Sequence, residues 1–374
     1  MRHKVDFISF KYKNILFEYQ LRIFKLGTLL IPEMIMRFNF KNIKKSLHSF
    51  FFIIIMLIIL VRVPQAQEYH WYKGNTHAHT LNSDGNLPPD EMVKWYREHG
   101  YNFIVITDHN YVTNVEGLNT IFGMENRFLV MTGEEINCLS KNASGYSYCG
   151  FVNAINVPKT VVPQKGETQI QSLQNNIDAV LALNGIAQIN HPNYLWLISP
   201  ETLVSLQGYS LLEIADMHPE INGYGGGGFP GHEEIWDIVL SKGKKVFGIA
   251  SDDTHNYTEF APHIANPGRG WIWVKCETLT ANNIAKALQQ GDFYGSTGVI
   301  LEDISFNQNS LTIKIKPSLD AKVTVEFIGL NGIVLEKTYD NPTSYAIKGN
   351  ETYIRVRITD SNGFKAWTQP VFVK

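Results

Sequence analysis

Six short polar stretches, each carrying side chains that ligate metals, stand in a fixed relation to the apolar runs of this chain. They are His77-Ala78-His79, Ser83-Asp84-Gly85, Thr107-Asp108-His109, Gly133-Glu134-Glu135, Asn190-His191-Pro192 and Asp252-Asp253-Thr254-His255. Most begin where an apolar run ends, as at Phe103-Ile104-Val105-Ile106 before Thr107 and Val246-Phe247-Gly248-Ile249-Ala250 before Ser251. Runs of this kind read as parallel strands buried on both faces. Polar residues repeated at strand C-termini gather at one end of an α/β barrel, where such barrels carry their active sites.

Helical segments between the runs announce their ends. Pro88-Pro89-Asp90-Glu91 places proline and acids in a first turn that Gly100 closes. Gly185, Gly243 and Gly291 close segments that start near Thr168, His232 and Thr280 in the same way. The βα succession predicts a distorted (β/α)7-type barrel over 68–302, with no glycine-rich nucleotide turn. Gly223 to Gly228 holds five glycines without the spacing of a phosphate loop and reads as a loop beside the site or a plain connection. From about residue 303 the period changes to two, as in Leu311-Thr312-Ile313-Lys314-Ile315 and Tyr353-Ile354-Arg355-Val356-Arg357-Ile358, with turns at Asn331-Gly332 and Asn362-Gly363. That pattern predicts a small antiparallel β module over 303–374, packed against the barrel.

Residues 1–67 differ from the rest. They hold 11 Lys and Arg against 3 Asp and Glu, leaving 22 against 32 in the remainder, a net of -10 there behind the whole-chain value of -2. Basic residues at 37–45, an apolar stretch over about 50–61 and Pro64-Gln65-Ala66 follow the order of a secretory signal peptide, with Met34 or Met36 as the expected initiator. The stretch is short for a membrane span, so export to the periplasm or medium is the reading, with a retained anchor through 50–61 as the alternative. An acidic mature chain predicts a small-molecule substrate and no nucleic acid. Cys138, Cys149 and Cys276 are too few for a disulfide framework, leaving a Cys138-Cys149 bridge or buried thiols.

His-x-His places two imidazoles on one side of an extended segment, and Asp253-Thr254-His255 repeats the geometry with one oxygen and one nitrogen. That mixture suits Zn, Mn or Fe better than Ca. The ordered set of motifs, each after an apparent strand, predicts a metal-dependent enzyme.

Over about residues 70–300 the chain resembles the PHP family, the polymerase and histidinol phosphatase metallohydrolases, on the branch that includes carbaryl-type hydrolases. The likeness rests on Gly74-Asn75-Thr76-His77-Ala78-His79-Thr80 through Ser83-Asp84-Gly85, Thr107-Asp108-His109-Asn110 and Gly133-Glu134-Glu135. Ser251-Asp252-Asp253-Thr254-His255, Gly268-Arg269-Gly270-Trp271 and Phe293-Tyr294-Gly295-Ser296-Thr297-Gly298 extend it. The resemblance implies two or three divalent ions. His77, His79, Glu134 and Asp253 would hold the first, Glu134 would bridge to a second bound by His191, and Asp84, His109 and His255 would hold a third. The family commonly has a histidine where Gly150-Phe151-Val152-Asn153 offers Phe151. The expected second ion is therefore weakly held, unless His218 or Cys149 substitutes.

Three functions follow as expectations. The first is phosphoester hydrolysis by metal-activated water, with Arg269 clamping the phosphate. The second is hydrolysis of a carbamate, ester or amide with the same machinery. A metal-binding protein without turnover is the third. For proton transfer the sequence offers Asp108, His218 and His263, each of which could instead orient a ligand.

Overall fold

The computed structural model describes residues 68–318 and 321–373. The expected signal peptide, its apolar stretch and both possible initiators lie outside the described residues. Among the described residues no helix is long and apolar enough to cross a membrane.

Nine strands frame the first part of the fold: β1 (His70–Asn75), β2 (Phe103–Ile106), β3 (Leu129–Asn142), β4 (Gly145–Ile155), β5 (Ile186–Ile189), β6 (Leu211–Asp216), β7 (Phe247–Ser251), β8 (Trp271–Cys276) and β9 (Phe293–Ser296). They are hydrogen-bonded in the order β9-β8-β1-β2-β3-β4-β5-β6-β7. Parallel pairs β1/β2, β2/β3, β5/β6 and β6/β7 match the expected βα succession. The described sheet departs from the expected distorted (β/α)7-type barrel in two respects. First, β3 and β4 form a long antiparallel hairpin, because a tight turn at 142–145 leaves no room for a crossover helix, and β4/β5, β1/β8 and β8/β9 are antiparallel too. Second, the sheet is open at β7. An isolated parallel bridge, Ala78 to Thr254, crosses from beyond the end of β1 to beyond the end of β7.

Each of β1 to β9 still contributes to one apolar cluster, through Tyr72, Phe103, Met131, Ile155, Ile186, Leu211, Ile249, Ile272 and Phe293. The helices flank the strands: α1 (Pro89–Glu98), α2 (Glu116–Phe122), α3 (Gln169–Ala182), α4 (Pro200–Ser205), α5 (His232–Ser241) and α6 (Ala281–Gln290). In α1 the helical spacing of Met92, Val93 and Tyr96 makes one buried face, with Pro89, Asp90 and Glu91 in the first turn. Thr168 and Thr280 cap α3 and α6 through their hydroxyls, and Gly291 ends α6 in the left-handed conformation the sequence called for.

Eight further strands complete the chain: β10 (Leu301–Phe306), β11 (Ser310–Ile315), β12 (Val323–Ile328), β13 (Val334–Thr338), β14 (Thr343–Ala346), β15 (Tyr353–Asp360), β16 (Lys365–Thr368) and β17 (Val371–Phe372). One sheet, β10-β11-β14, shares a core with β12 and β15 through Leu311, Ile313, Val325, Phe327, Tyr345 and Val356. The other sheet, β13-β12-β15-β16, runs through β16/β9 into the first sheet without interruption. Gln369 does what a missing neighbour strand would do for β7. Its Oε1 accepts from the Gly248 amide at 2.7 Å and its Nε2 donates to the Gly248 carbonyl at 2.9 Å.

Candidate functional site

The site is built at the C-terminal ends of the strands. His77 and His79 follow β1, and the chain there is pinned on both sides: the His79 amide donates to Thr254 O at 3.0 Å and the Asp253 amide to His77 O at 3.1 Å. Gly85 closes the next turn, where a Cβ would lie 2.4 Å from the His79 carbonyl oxygen. His191 and Asp253 are held at φ 21 and φ 48, conformations that cost an L-residue about 1–2 kcal/mol and that collect at functional sites.

Glu135 lies at the centre. Its Oε2 is 3.2 Å from His77 Nε2, 3.3 Å from His79 Nε2 and 3.3 Å from His109 Nδ1, and its Oε1 is 3.1 Å from His191 Nε2. Asp253 Oδ1 lies 3.2 Å from both His77 Nε2 and His79 Nε2. A tetrahedron with edges of this length has its centre about 2 Å from each corner, where zinc takes nitrogen and oxygen ligands. His77 Nε2, His79 Nε2, His109 Nδ1 and Asp253 Oδ1 are buried and make no hydrogen bond. The residues present therefore fit a divalent cation.

A second group joins it. Asp84 approaches His79 Nδ1 at 3.4 Å, His109 Nε2 at 3.3 Å and His255 Nε2 at 3.5 Å, so His79, Asp84, His109 and His255 form another set able to hold an ion. His77, His191, Asp216 and Asp253 form a third, and His218, Asp253 and His255 a fourth.

Burial opposes charge on Glu135, but His77 and His109 beside it hold its carboxyl well below the ordinary range. Burial likewise works against charge on His109, yet Glu135 and Asp84 raise it to about 9. A bound cation would displace such protons.

Glu213 orients the ligands. Its Oε1 lies 2.7 Å from His77 Nδ1 and accepts from Ser251 Oγ at 2.7 Å, while its Oε2 accepts from the His191 amide at 2.9 Å. A proton held on His77 Nδ1 leaves Nε2 free for a metal.

Of the expected ligands, His77, His79, Asp84, His109, His191, Asp253 and His255 come together. Glu134 does not. It points away on the opposite side of β3, where its Oε1 accepts from the Val161 amide and burial pushes its carboxyl up to about 7. The place among the histidines is taken by Glu135, because alternation along β3 puts the two carboxylates on opposite faces.

The expected proton-transfer groups divide. His218 lines the cavity with its ring 5.4 Å from that of His255, and burial lowers its pKa. Asp108 is a structural carboxylate, accepting from the Thr80 amide and from the hydroxyls of Thr80, Ser83 and Thr113. His263 is exposed and does not line the cavity. Arg269 does not line the cavity: its Nη2 donates to Ala261 O at 2.6 Å and Asn266 Oδ1 at 2.8 Å, which fastens a loop. Phe151 stands at the cavity wall, its ring 5.0 Å from His191 and 6.1 Å from His109. Cys149 is a buried free thiol in an apolar cluster, outside every metal-ligating group found among the described residues, and Cys138 and Cys276 are also unbridged.

Glu135, Glu213 and Asp216 were not among the expected ligands. The recurrence of Gln188, Asn190, Glu213 and Ser251 in otherwise apolar strand runs was the available signal, since polar groups buried there need a shared purpose.

No family model matches the chain, and no curated protein does. Solved structures do. One is a two-domain protein from Bacteroides vulgatus containing a predicted PHP-like metal-dependent phosphoesterase, 17% identical, covering 82% of this chain and 97% of that one with a TM-score of 0.46. An amidohydrolase from Chromobacterium violaceum is 10% identical over 51% of this chain and 93% of its own, with a TM-score of 0.35. A lesion-specific endonuclease from Pyrococcus furiosus is 11% identical over 59% and 56%, with a TM-score of 0.34.

Proposed function

We propose that the protein is an exported hydrolase of PHP type that depends on divalent ions and cleaves phosphoesters. One observation carries the dependence on divalent ions: buried imidazole nitrogens and carboxylate oxygens converge on common points and lack hydrogen-bond partners. His77, His79, Glu135 and Asp253 would hold one ion, Glu135 would share a second with His191, and Asp84, His109 and His255 would hold a third. Zn, Mn or Fe bound there lowers the pKa of water to about 7 and neutralises developing charge on oxygen.

The chain's own residues do the rest. Glu213 fixes the ring of His77. The Glu220 amide donates to His218 Nδ1 at 3.2 Å, so a neutral His218 ring carries its proton on Nε2 and can donate it to an oxygen in the cavity. Hydrolysis of a carbamate, ester or amide is the second reading, favoured by a cavity that, among the described residues, no lysine or arginine lines.

The test uses the purified full chain with phosphomonoester, phosphodiester, aryl ester and aryl carbamate substrates, before and after chelation. Turnover lost on chelation and restored by Zn, Mn or Fe is expected. Turnover that survives complete removal of the metal would overturn the reading.

A further inference from the structure

The cavity over the ligand cluster is small, about 150 Å³. It has room for a reacting head group, so the rest of a substrate must lie at the mouth. There the walls are unequal. Phe151, 6% exposed, and the half-buried Tyr194 line the cavity in contact with each other, and the exposed Tyr148 continues the aromatic surface by stacking on Phe151 with centroids 5.6 Å apart. Tyr194 meets Phe151 edge-on at 5.7 Å. Faces and edges of this kind attract another aromatic ring.

The turn that presents Tyr194 is held against its own preference. Leu195 and Trp196 sit in succession at φ 50 and φ 57, and Leu195 is largely exposed, so no burial of its side chain favours that conformation. Trp196 stacks on Phe229 at 4.5 Å and anchors the turn. Strain of this sort persists where it places a group that function uses.

Charge supplies the second constraint. Asp84, Glu135, Glu220 and Asp253 line the cavity, and no lysine or arginine among the described residues does. Four carboxylates would cancel four of the six charges of three divalent ions, and Glu220 at the rim would repel a dianionic phosphomonoester more strongly than a singly charged ester. A neutral ester escapes that cost, and a singly charged one bears less of it.

Resting on the hydrolase reading above, we propose that the site selects neutral or singly charged esters bearing an aromatic group, seated against Phe151 and Tyr194, over dianionic phosphomonoesters. For an aryl phosphodiester, the oxygen of water bonds to phosphorus as the bond from phosphorus to the aryl oxygen breaks. The aryl oxygen leaves with the bonding pair, and the proton from water passes to solvent.

The experiment compares bis(4-nitrophenyl) phosphate, 4-nitrophenyl phosphate and methyl 4-nitrophenyl phosphate with dimethyl phosphate for the metal-loaded full chain. It also titrates bis(4-nitrophenyl) phosphate into metal-free protein by calorimetry. The aryl diesters should exceed the monoester in kcat/KM by at least about 10-fold. Phe151→Ala and Tyr194→Ala should each raise KM for aryl diesters about 5- to 10-fold and weaken the calorimetric Kd by a similar factor. Glu220→Gln should raise kcat/KM for the monoester about two- to fivefold. Preference for the monoester, or unchanged KM and Kd in both aromatic variants, would overturn the proposal while leaving the hydrolase reading intact. Absence of turnover on every substrate would instead remove the hydrolase reading, and the calorimetric loss in Phe151→Ala would still decide whether the aromatic seat exists.

Discussion

Two buried polar clusters in this molecule are built in opposite ways. Between α5 and β15, Arg355 is 1% exposed, and its Nε donates to Asp237 Oδ1 at 2.8 Å while its Nη1 lies 2.9 Å from Glu233. Tyr353 donates its hydroxyl to the same Asp237 oxygen, and Arg357 reaches Glu233 and Glu326. The chain provides both signs of charge there. At the strand ends, His77, His79, Glu135 and Asp253 crowd nitrogen and oxygen atoms within 3.3 Å, and several of these atoms make no hydrogen bond. Burial of charge is common to both clusters, and Arg355 Nη1 too lacks a hydrogen bond; what separates them is whether the chain itself supplies the cation. A buried group left unsatisfied costs stability, so it persists when something from outside completes it.

The largest effect should come from opening the self-completed cluster. Arg355→Ala leaves Asp237 buried without its cation, and about 3–5 kcal/mol of stability should be lost. Metal content per folded chain should stay at the wild-type value. Denaturant midpoints with elemental analysis test both halves, and a loss under about 1 kcal/mol would erase the contrast between the clusters.

Glu134 and Glu135 sharpen the comparison within one strand. Folding raises the Glu134 carboxyl from 4.5 to about 7 through burial, so its protonated form is the one the fold favours. Its stabilising contribution is therefore full below pH 4.5 and is lost as pH rises through 7. The difference corresponds to about 3 kcal/mol. Glu134→Gln should match wild type at pH 4 to 5, exceed it by about that amount at pH 8, and keep its metal. Glu135→Ala should lose metal and turnover together. Thermal melts of the metal-free proteins across pH would check the first pair of statements, and a Glu134→Gln protein without its ions would return the bridging role to Glu134.

That pair also marks where the sequence stops being legible. Apolar runs ending in His, Asp and Glu predicted strands and a ligand set at their ends, and seven of the eight expected ligands converge there. The phase along β3 was hidden because both faces of the strand are buried, so no alternation of polar with apolar residues separates Glu134 from Glu135. Asp108 and Arg269 stand apart from the cavity lining for a different reason. Each belongs to a motif that reaches the site, but each spends its hydrogen bonds on neighbouring loops, and those partners depend on tertiary geometry. The antiparallel β3–β4 hairpin escaped because the long runs around the 142–145 turn lack the strict alternation that marks a two-residue hairpin. Period-two alternation beyond 303 did mark the strands of the last sheets, while the Gln369 clamp on Gly248 left no local pattern at all.

A smaller effect should follow from disturbing the groups behind the ligands. Glu213 holds the His77 ring and the His191 amide at once, so Glu213→Gln weakens the orientation of two ligands without removing either. Metal affinity should fall about 10- to 100-fold. Competition with a chromophoric chelator would measure it, and an unchanged affinity would mean that the ligand atoms are positioned by the backbone alone.

The smallest effect concerns the one wall of the incomplete cluster that carries no ligand. Phe151 faces Asn137 across the β3/β4 ladder and lies beside His191, next to the second position shared with Glu135. An ion there finds Glu135 and His191 as protein ligands on that side, with Asp216 reachable through the group it forms with His77, His191 and Asp253. Glu135, His77 and Asp253 also belong to the first ion's group, which leaves His191 and Asp216 as the ligands not shared with it, so this position should be the weakest of the set. Phe151→His would supply an imidazole where the phenyl ring stands. Its second-site affinity should rise by about 10-fold, read as the last ion to leave under graded chelation, and preference for aryl diesters should narrow because the apolar face is lost. His218→Ala separates the alternatives: if His218 fills the gap, that variant loses one ion and Phe151→His gains none. A second ion held as tightly in wild type as in Phe151→His would show that the cluster already completes itself at this wall, and the contrast with the Arg355 cluster would then lie in the source of the cation alone.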